Sequence, residues 1–319
     1  MGRFVIRRMI LLIPMILGVS FLVFVFMDLA PGTVLDSLAN DLSEAELARL
    51  YHEYGYDRSV IYRYLLYLRG MFTGSLGYSY IYKTDVLTLY FSRFPATLAL
   101  AFSSLLLAVV LSIPLGVLAA ANRGKAADGL ISGLSVLGMS MPNFWLGVLL
   151  MLLFSQSLHL LPSGGNAQGI RSLILPAFTL GCGLMAALTR TTRSGLLDVL
   201  QEEYLKTARA KGLTKTRLLM KHALKNALVP VFTVLGSQMG MLVGGSVVTE
   251  NVFAWPGVGR LLVDAIKERD TTTVTGCLIL TALFIGLIQL LVDVGYAAVN
   301  PRLRERMLAG GQERRESHG

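Results

Sequence analysis

Gln289, Asp293 and Tyr296 stand at i, i+4 and i+7 in an apolar run, so a helix there brings an amide, a carboxylate and a phenol to one face. Such a face serves either ion chemistry or structural pairing, and Asp293, near the end of its run, is within reach of Arg302 or of a partner chain. Ser140 and Asn143 flank Pro142, which has no N–H to give to the carbonyl of Gly138. A kink and a polar spot are expected there, lining a route or marking a structural bend. No G-x-x-x-x-G-K-[ST], H-E-x-x-H or G-x-S-x-G occurs, and His52, His159, His222 and His318 are scattered. No catalytic residue and no metal-ligand set is assigned. Any energy source must lie in another chain.

The elements that position these residues are membrane spans. Hydrophobic residues make up 54% of the 319 and charged ones 15%, against about 25% charged in soluble domains. Mean hydropathy is +0.60. Disorder and a disulfide scaffold are excluded, and Cys182 and Cys277 fall in or beside apolar runs as packing residues. Six stretches approach the roughly 20 apolar residues that a bilayer core needs: 9–27, 96–121, 130–158, 173–189, 227–248 and 276–299. The first exceeds a signal-peptide core and lacks its cleavage pattern, so it reads as an uncleaved anchor.

Lys and Arg distribute unevenly between the two sets of connections. Residues before the first span, 122–129, 190–226 and 300–319 carry 19, and 31–95, 159–172 and 249–275 carry 10. The excess marks the cytoplasmic side, so both termini are expected there. The basicity of the chain, net +9, is thereby a topology signal rather than a nucleic-acid one. No Lys or Arg falls inside the six stretches, which argues against a voltage sensor or proton relay.

The basic segment 190–226 has more pattern than a connector needs. Leu197, Leu200, Tyr204 and Ala208 follow helical spacing, Gly212 offers a joint, and a second short helix is expected from about Thr214 to Pro230. This is either a docking element or a basic loop resting on anionic headgroups. Outside, 31–95 carries a capping box at Ser43-Glu44-Ala45-Glu46 and many tyrosines, suiting a small cap or interfacial packing. The last outer connection holds Glu250, Phe253, Trp255-Pro256-Gly257 and then Leu261, Leu262, Ala265 and Ile266, a turn and short amphipathic helix dipping into the outer face. Gly236, Gly240 and Gly244 recur every four residues along the fifth stretch, admitting a close helix from this chain, a partner, or the route itself.

Several ordered motifs resemble one family. Tyr204-Leu205-Lys206-Thr207-Ala208-Arg209-Ala210-Lys211-Gly212-Leu213, with His222-Ala223-Leu224, Asn226-Ala227 and Pro230, is similar to the cytoplasmic loop of ABC-importer permeases of the dipeptide/oligopeptide/nickel group. Arg7-Arg8 with Pro14, Pro31-Gly32, residues 94–98, 140–145 and 255–262, and Asn300-Pro301-Arg302 extend the match over nearly the whole chain.

The resemblance implies an all-α, type I importer permease of six spans in a bacterial inner membrane, not itself an enzyme. It implies a cytoplasmic end and first span over 1–30, an outer cap over 31–95, a five-helix core over 96–304 and a charged tail over 305–319. Glu203, Tyr204, Thr207, Ala208, Ala210 and Gly212 would meet an ATPase groove. Ser140, Pro142, Asn143 and the three glycines are path candidates, and Glu250, Trp255, Pro256 and Gly257 outer-gate candidates. A second permease, two ATPases holding the ATP and magnesium, an external solute-binding protein and membrane lipid would be the partners.

Departures from the family pattern at Thr33-Val34, Tyr56-Asp57-Arg58-Ser59 and Thr271-Thr272 all lie in the outer segments. The short 159–172 connection is similar to the nickel and glutathione branches. A peptide-like cargo is expected, with a nickel chelate second, and a stand-alone secondary transporter or a membrane scaffold as the rivals of another class.

Overall fold

The computed structural model describes residues 2–29, 32–35, 43–53, 55–210, 212–214 and 217–299. The 305–319 tail, Pro31, Lys211 and Arg302 lie outside them. Helix α1 (Gly2–Leu29) precedes α2 (Glu44–Glu53), α3 (Val60–Phe72) and a hairpin of β1 (Tyr78–Ser79) and β2 (Thr84–Asp85), paired Tyr78 to Asp85 and Ser79 to Thr84. Then come α4 (Val86–Ala121), α5 (Ala126–Ser140) and α6 (Asn143–Leu150), the last continuing as π-helix over Met151–Ser157. Helices α7 (Ile170–Val199) and α8 (Glu203–Ala210) follow. A second π-helical stretch, Leu218–Ala223, runs into α9 (Leu224–Val252), and α10 (Val258–Lys267) and α11 (Thr271–Val299) complete the described chain.

Five of the six expected spans are continuous: α1, α4, α7, α11 and the Leu218–Val252 run ending in α9. Each outgrows its apolar core. Helix α4 starts at Val86, so 86–95, expected in the outer cap, continue the helix of the second span. Helix α7 reaches Val199, so Arg190 and Arg193, expected in the cytoplasmic loop, ride on a spanning helix. The short helix expected after Thr214 is instead continuous with the fifth span.

The third span is broken where a kink was expected. Helices α5 and α6 diverge by 111° at Met141 and Pro142, both extended (ψ 128° and 132°). A proline drives the residue before it out of the α region, so the helix stops at Ser140 and a new one starts from Pro142. The pair still makes one crossing along α7. Asp128 meets Arg193 near one end of α7, Gly138 lies beside Cys182, Gly147 beside Thr179, and Gly165 donates its N–H to the Phe253 carbonyl at 2.8 Å at the other end.

Helix α7 is the centre of the bundle. Leu180, Leu184 and Leu188 are buried against Leu100 and Ala108 of α4 and Val231 and Val243 of α9. The backbones nearly touch: a Cβ on Gly181 would stand 2.7 Å from the Ser104 carbonyl oxygen, and one on Gly195 2.9 Å from that of Ala227. Helices α1 and α11 pack side by side, joined by an ion pair from Arg8 Nη2 to Asp293 Oδ2 at 2.8 Å. Asp293 was expected to meet Arg302 or another chain; among the described residues the first span supplies a cation. The start of α1, the end of α11 and the 203–214 segment thus share one end, called the basic end below.

At the opposite end the capping box forms as written. Ser43 N–H donates to Glu46 Oε2 at 3.0 Å and Glu46 N–H to Ser43 Oγ at 3.4 Å. The Ser43 hydroxyl, donating to the same carboxylate oxygen at 2.6 Å, and then the Ser43 N–H hold the Glu46 carboxyl below the usual carboxylate range. Helix α3 is tied to α1, its Tyr64 hydroxyl donating to the Leu17 carbonyl at 2.9 Å and Arg63 pairing with Asp28. Asp270 receives the Ser79 and Thr273 hydroxyls, fixing the hairpin to the head of α11.

Candidate functional site

Two constellations stand at opposite ends of the bundle. At the basic end, α7 stops at Val199, residues 200–202 turn, and α8 runs over Glu203–Ala210. A single helix through Leu197, Leu200, Tyr204 and Ala208 was expected; the turn interrupts it and resets the phase. Leu205 consequently points inward, 1% exposed, whereas Tyr204 is 43% exposed. Leu205 sits in one apolar cluster with Ala120 of α4, Leu196 of α7, Leu218, Leu219 and Ala223 of the π-helical stretch and Ala227 of α9. Burying a leucine contributes about 1.5–3 kcal/mol, so this side chain fastens α8 to an apolar cluster that the ends of three spanning helices share.

Polar contacts add to this. Asn226 Nδ2 donates to the Tyr204 hydroxyl at 2.7 Å, and the Thr207 hydroxyl donates to the Glu203 carbonyl at 3.2 Å. Gly212 has φ +81°, left-handed backbone that side chains resist, so the joint expected there is present. Glu203, Tyr204, Thr207 and Ala210 are exposed, and Ala208 lies within the same helix. Leu205 and Asn226 belong to the motif but had no assigned role; each is explained by the phase reset.

The outer constellation is a helix cap built from distant residues. Glu250 on α9 is fully buried, and its Oε1 accepts the Thr97 hydroxyl of α4 at 2.7 Å. Its Oε2 accepts the Arg260 N–H at 3.1 Å, and Thr97 Oγ1 in turn accepts the Val258 N–H at 2.8 Å. Both N–H groups belong to the first turn of α10, where a negative group meets unpaired donors and the positive end of the helix dipole. Gly257, the cap position, has no side chain because the Glu250 carboxylate occupies that space: a Cβ on Gly257 would overlap it. Trp255, 5% exposed, donates Nε1–H to the Ala96 carbonyl at 2.9 Å, while Pro256 begins the turn into the cap. Helix α10 is thereby held to α4 and α9 together.

The path candidates separate. Gly236, Gly240 and Gly244 face Val292 and Ile285 of α11, so the stripe admits a helix of this same chain. A Cβ on Gly236 would stand 2.8 Å from Val292 Cγ1. Ser140, its hydroxyl donating to the Val136 carbonyl at 2.9 Å, and Pro142 are exposed at the α5–α6 break, with Asn143 partly covered. One ion pair had no counterpart among the expected sites: Arg193 grips Asp128 with Nε at 2.5 Å and Nη2 at 2.8 Å, joining α7 to α5.

Comparison with known proteins shows the family. The model of binding-protein-dependent transport system inner membrane components matches residues 112–305, and the model of their N-terminal part matches 1–101. The dipeptide transport system permease protein DppB of Escherichia coli K12 is 38% identical, covering 96% of this chain and all of that one. The oligopeptide permease protein AppB of Bacillus subtilis and the glutathione permease protein GsiC of E. coli K12 are each 40% identical, each covering 95% of this chain and 99% of the relative. An inward-facing MetNI methionine ABC transporter shares the fold, with TM-score 0.56 at 22% identity over 67% of this chain and 97% of that one. This chain belongs to the inner-membrane permease components of binding-protein-dependent ABC importers, which work with ATPase and binding-protein partners and do not hydrolyse ATP themselves.

Proposed function

We propose, on the premise of that membership, that the chain is the gate of an importer for a peptide-like solute, driven through α8. The three relatives named above move dipeptides, oligopeptides and glutathione, and each aligns with this chain from end to end. Two ATPases bind ATP with magnesium, a second permease completes the pathway, and an external binding protein delivers cargo to the end bearing Trp255. The charge asymmetry puts the basic end in the cytoplasm, where the ATPases stand.

The observation that carries this reading is Leu205 seated among α4, α7 and α9. A groove that closes around Glu203, Tyr204, Thr207, Ala208, Ala210 and Gly212 would push on three spans at once through that contact. The far ends of α4 and α9 hold α10 through Glu250 and Thr97, so a tilt at the basic end is carried to the outer face. Reconstituting the permease pair with its ATPases and binding protein in liposomes tests this. ATP-dependent uptake of a short peptide is expected; uptake by this chain alone, without ATPases, would overturn it.

A further inference from the structure

Helix α7 is buried along most of its middle, over residues 175–192, with one less covered strip running to its end. That strip is Gly183, Ala187, Arg190 and Ser194, spaced i, i+4, i+7 and i+11 along one face. A Cβ on Gly183 would meet nothing within 4 Å. Opposite stand Ser132, Val136 and Met139 of α5, and between the two walls lies a cavity of about 710 Å³. Other exposed faces of the bundle are large and apolar, as at Phe102, Leu106 and Val110 of α4, exposed by half or more. The α7 strip is small and polar instead, which suits a watery route.

Arg190 and Arg193 both line that cavity, and only Arg190 is left without a carboxylate among the described residues. The neighbouring Arg193 has its planar fork filled by Asp128. Among the described residues the Arg190 guanidinium meets only Met139 Sδ, at 3.7 Å, and no carboxylate. Open towards the cavity and meeting no described carboxylate, this guanidinium is poised for an anion from outside the chain. A guanidinium grips a carboxylate with two parallel N–H···O bonds, and cavities of about 300–1,000 Å³ hold small ligands. Arg190 lies twenty residues beyond Ile170, about 30 Å along α7, hence at the basic end of the route.

We propose that this cavity is a holding subsite for a carboxylate of the cargo, with Arg190 as the group that pairs with it before release. The inference rests on the peptide-like cargo proposed above. The same guanidinium chemistry would serve a phospholipid phosphate, and the test separates the two sources.

The assembled transporter is reconstituted with one peptide as free acid and as C-terminal amide, each supplied at saturating binding protein. Wild type is expected to move the acid about tenfold faster, the scale of one charge-assisted pair. Arg190→Gln is expected to bring the acid-to-amide ratio to near one, and Arg190→Lys to recover part of it. A ratio that survives Arg190→Gln overturns the proposal while leaving the peptide reading intact. Wild-type vesicles that move neither peptide overturn both. Equal losses for acid and amide, seen only when the vesicles contain phosphatidylglycerol rather than phosphatidylcholine alone, would assign Arg190 to a lipid phosphate and refute the subsite.

Discussion

Asn226 Nδ2 donates to the Tyr204 hydroxyl at 2.7 Å, tying the short helix α8 to the head of the spanning helix α9. Beside it Leu205 fills the apolar junction of α4, α7 and α9. One polar and one apolar contact therefore make the docking helix a lever on the bundle rather than a loose loop.

Leu205→Ala removes the apolar contact. A buried leucine cut to alanine costs about 2–5 kcal/mol, here taken from the local junction. Peptide uptake is expected to fall at least tenfold while ATP hydrolysis by the assembled complex persists. Measuring both rates on one preparation decides it; parallel loss of hydrolysis and uptake would mean that assembly, not coupling, has failed.

Gly212→Pro demands φ near −65° where the backbone stands at +81°. The joint must then take another direction while the spans are untouched. Insertion and expression are expected at wild-type level with uptake abolished. Gly212→Asn, which tolerates left-handed backbone, is expected to retain most uptake.

Gly257→Ala places a methyl group where the Glu250 carboxylate stands, and should lower the melting temperature of the complex. Glu250→Ala alone leaves the Arg260 N–H and the Thr97 hydroxyl without their acceptor and costs roughly 1–3 kcal/mol. Because the first clash needs the second group, the double variant is expected to be more stable than the sum of the two losses allows. Strict additivity in a thermal-unfolding cycle would contradict the cap.

Gly236→Ala drives a methyl group to 2.8 Å from Val292 Cγ1. The expected defect is in packing α9 on α11 within this chain. Val292→Ala should restore thermal stability to Gly236→Ala, and no such rescue would place the stripe against a partner instead.

Much of this architecture was legible in the residues, and the failures share a cause. Apolar runs located the five continuous spans and the broken α5–α6 pair, and Ser43 with Glu46 announced its helix start correctly, because composition and capping are local properties. Helix ends were not legible in the apolar runs because a helix continues past its apolar core, as α7 does through Arg190 to Val199. Pro142 was legible as an interruption but not as a 111° break, since the bend depends on what α6 packs against. Leu205 was hidden by a three-residue turn that reset the helical phase. Glu250 read from the sequence as an outer-gate candidate. Its role as a cap needs Thr97, more than 150 positions away in the chain, and no spacing rule links the two. The pairing of Arg8 with Asp293 is invisible for the same reason.

The account stands or falls on whether α8 meets a nucleotide hydrolase and moves with it. Ala210→Cys, at the exposed end of α8, offers a thiol in a chain whose own Cys182 and Cys277 are buried. Disulfide cross-linking in native membranes, scanned against cysteines along the ATPase surface, is expected to capture an ATPase subunit in high yield. The partner position is expected to shift between nucleotide-free and ATP-bound states. Capture of no ATPase at any position, with uptake intact in the same vesicles, would contradict the coupling role of this helix.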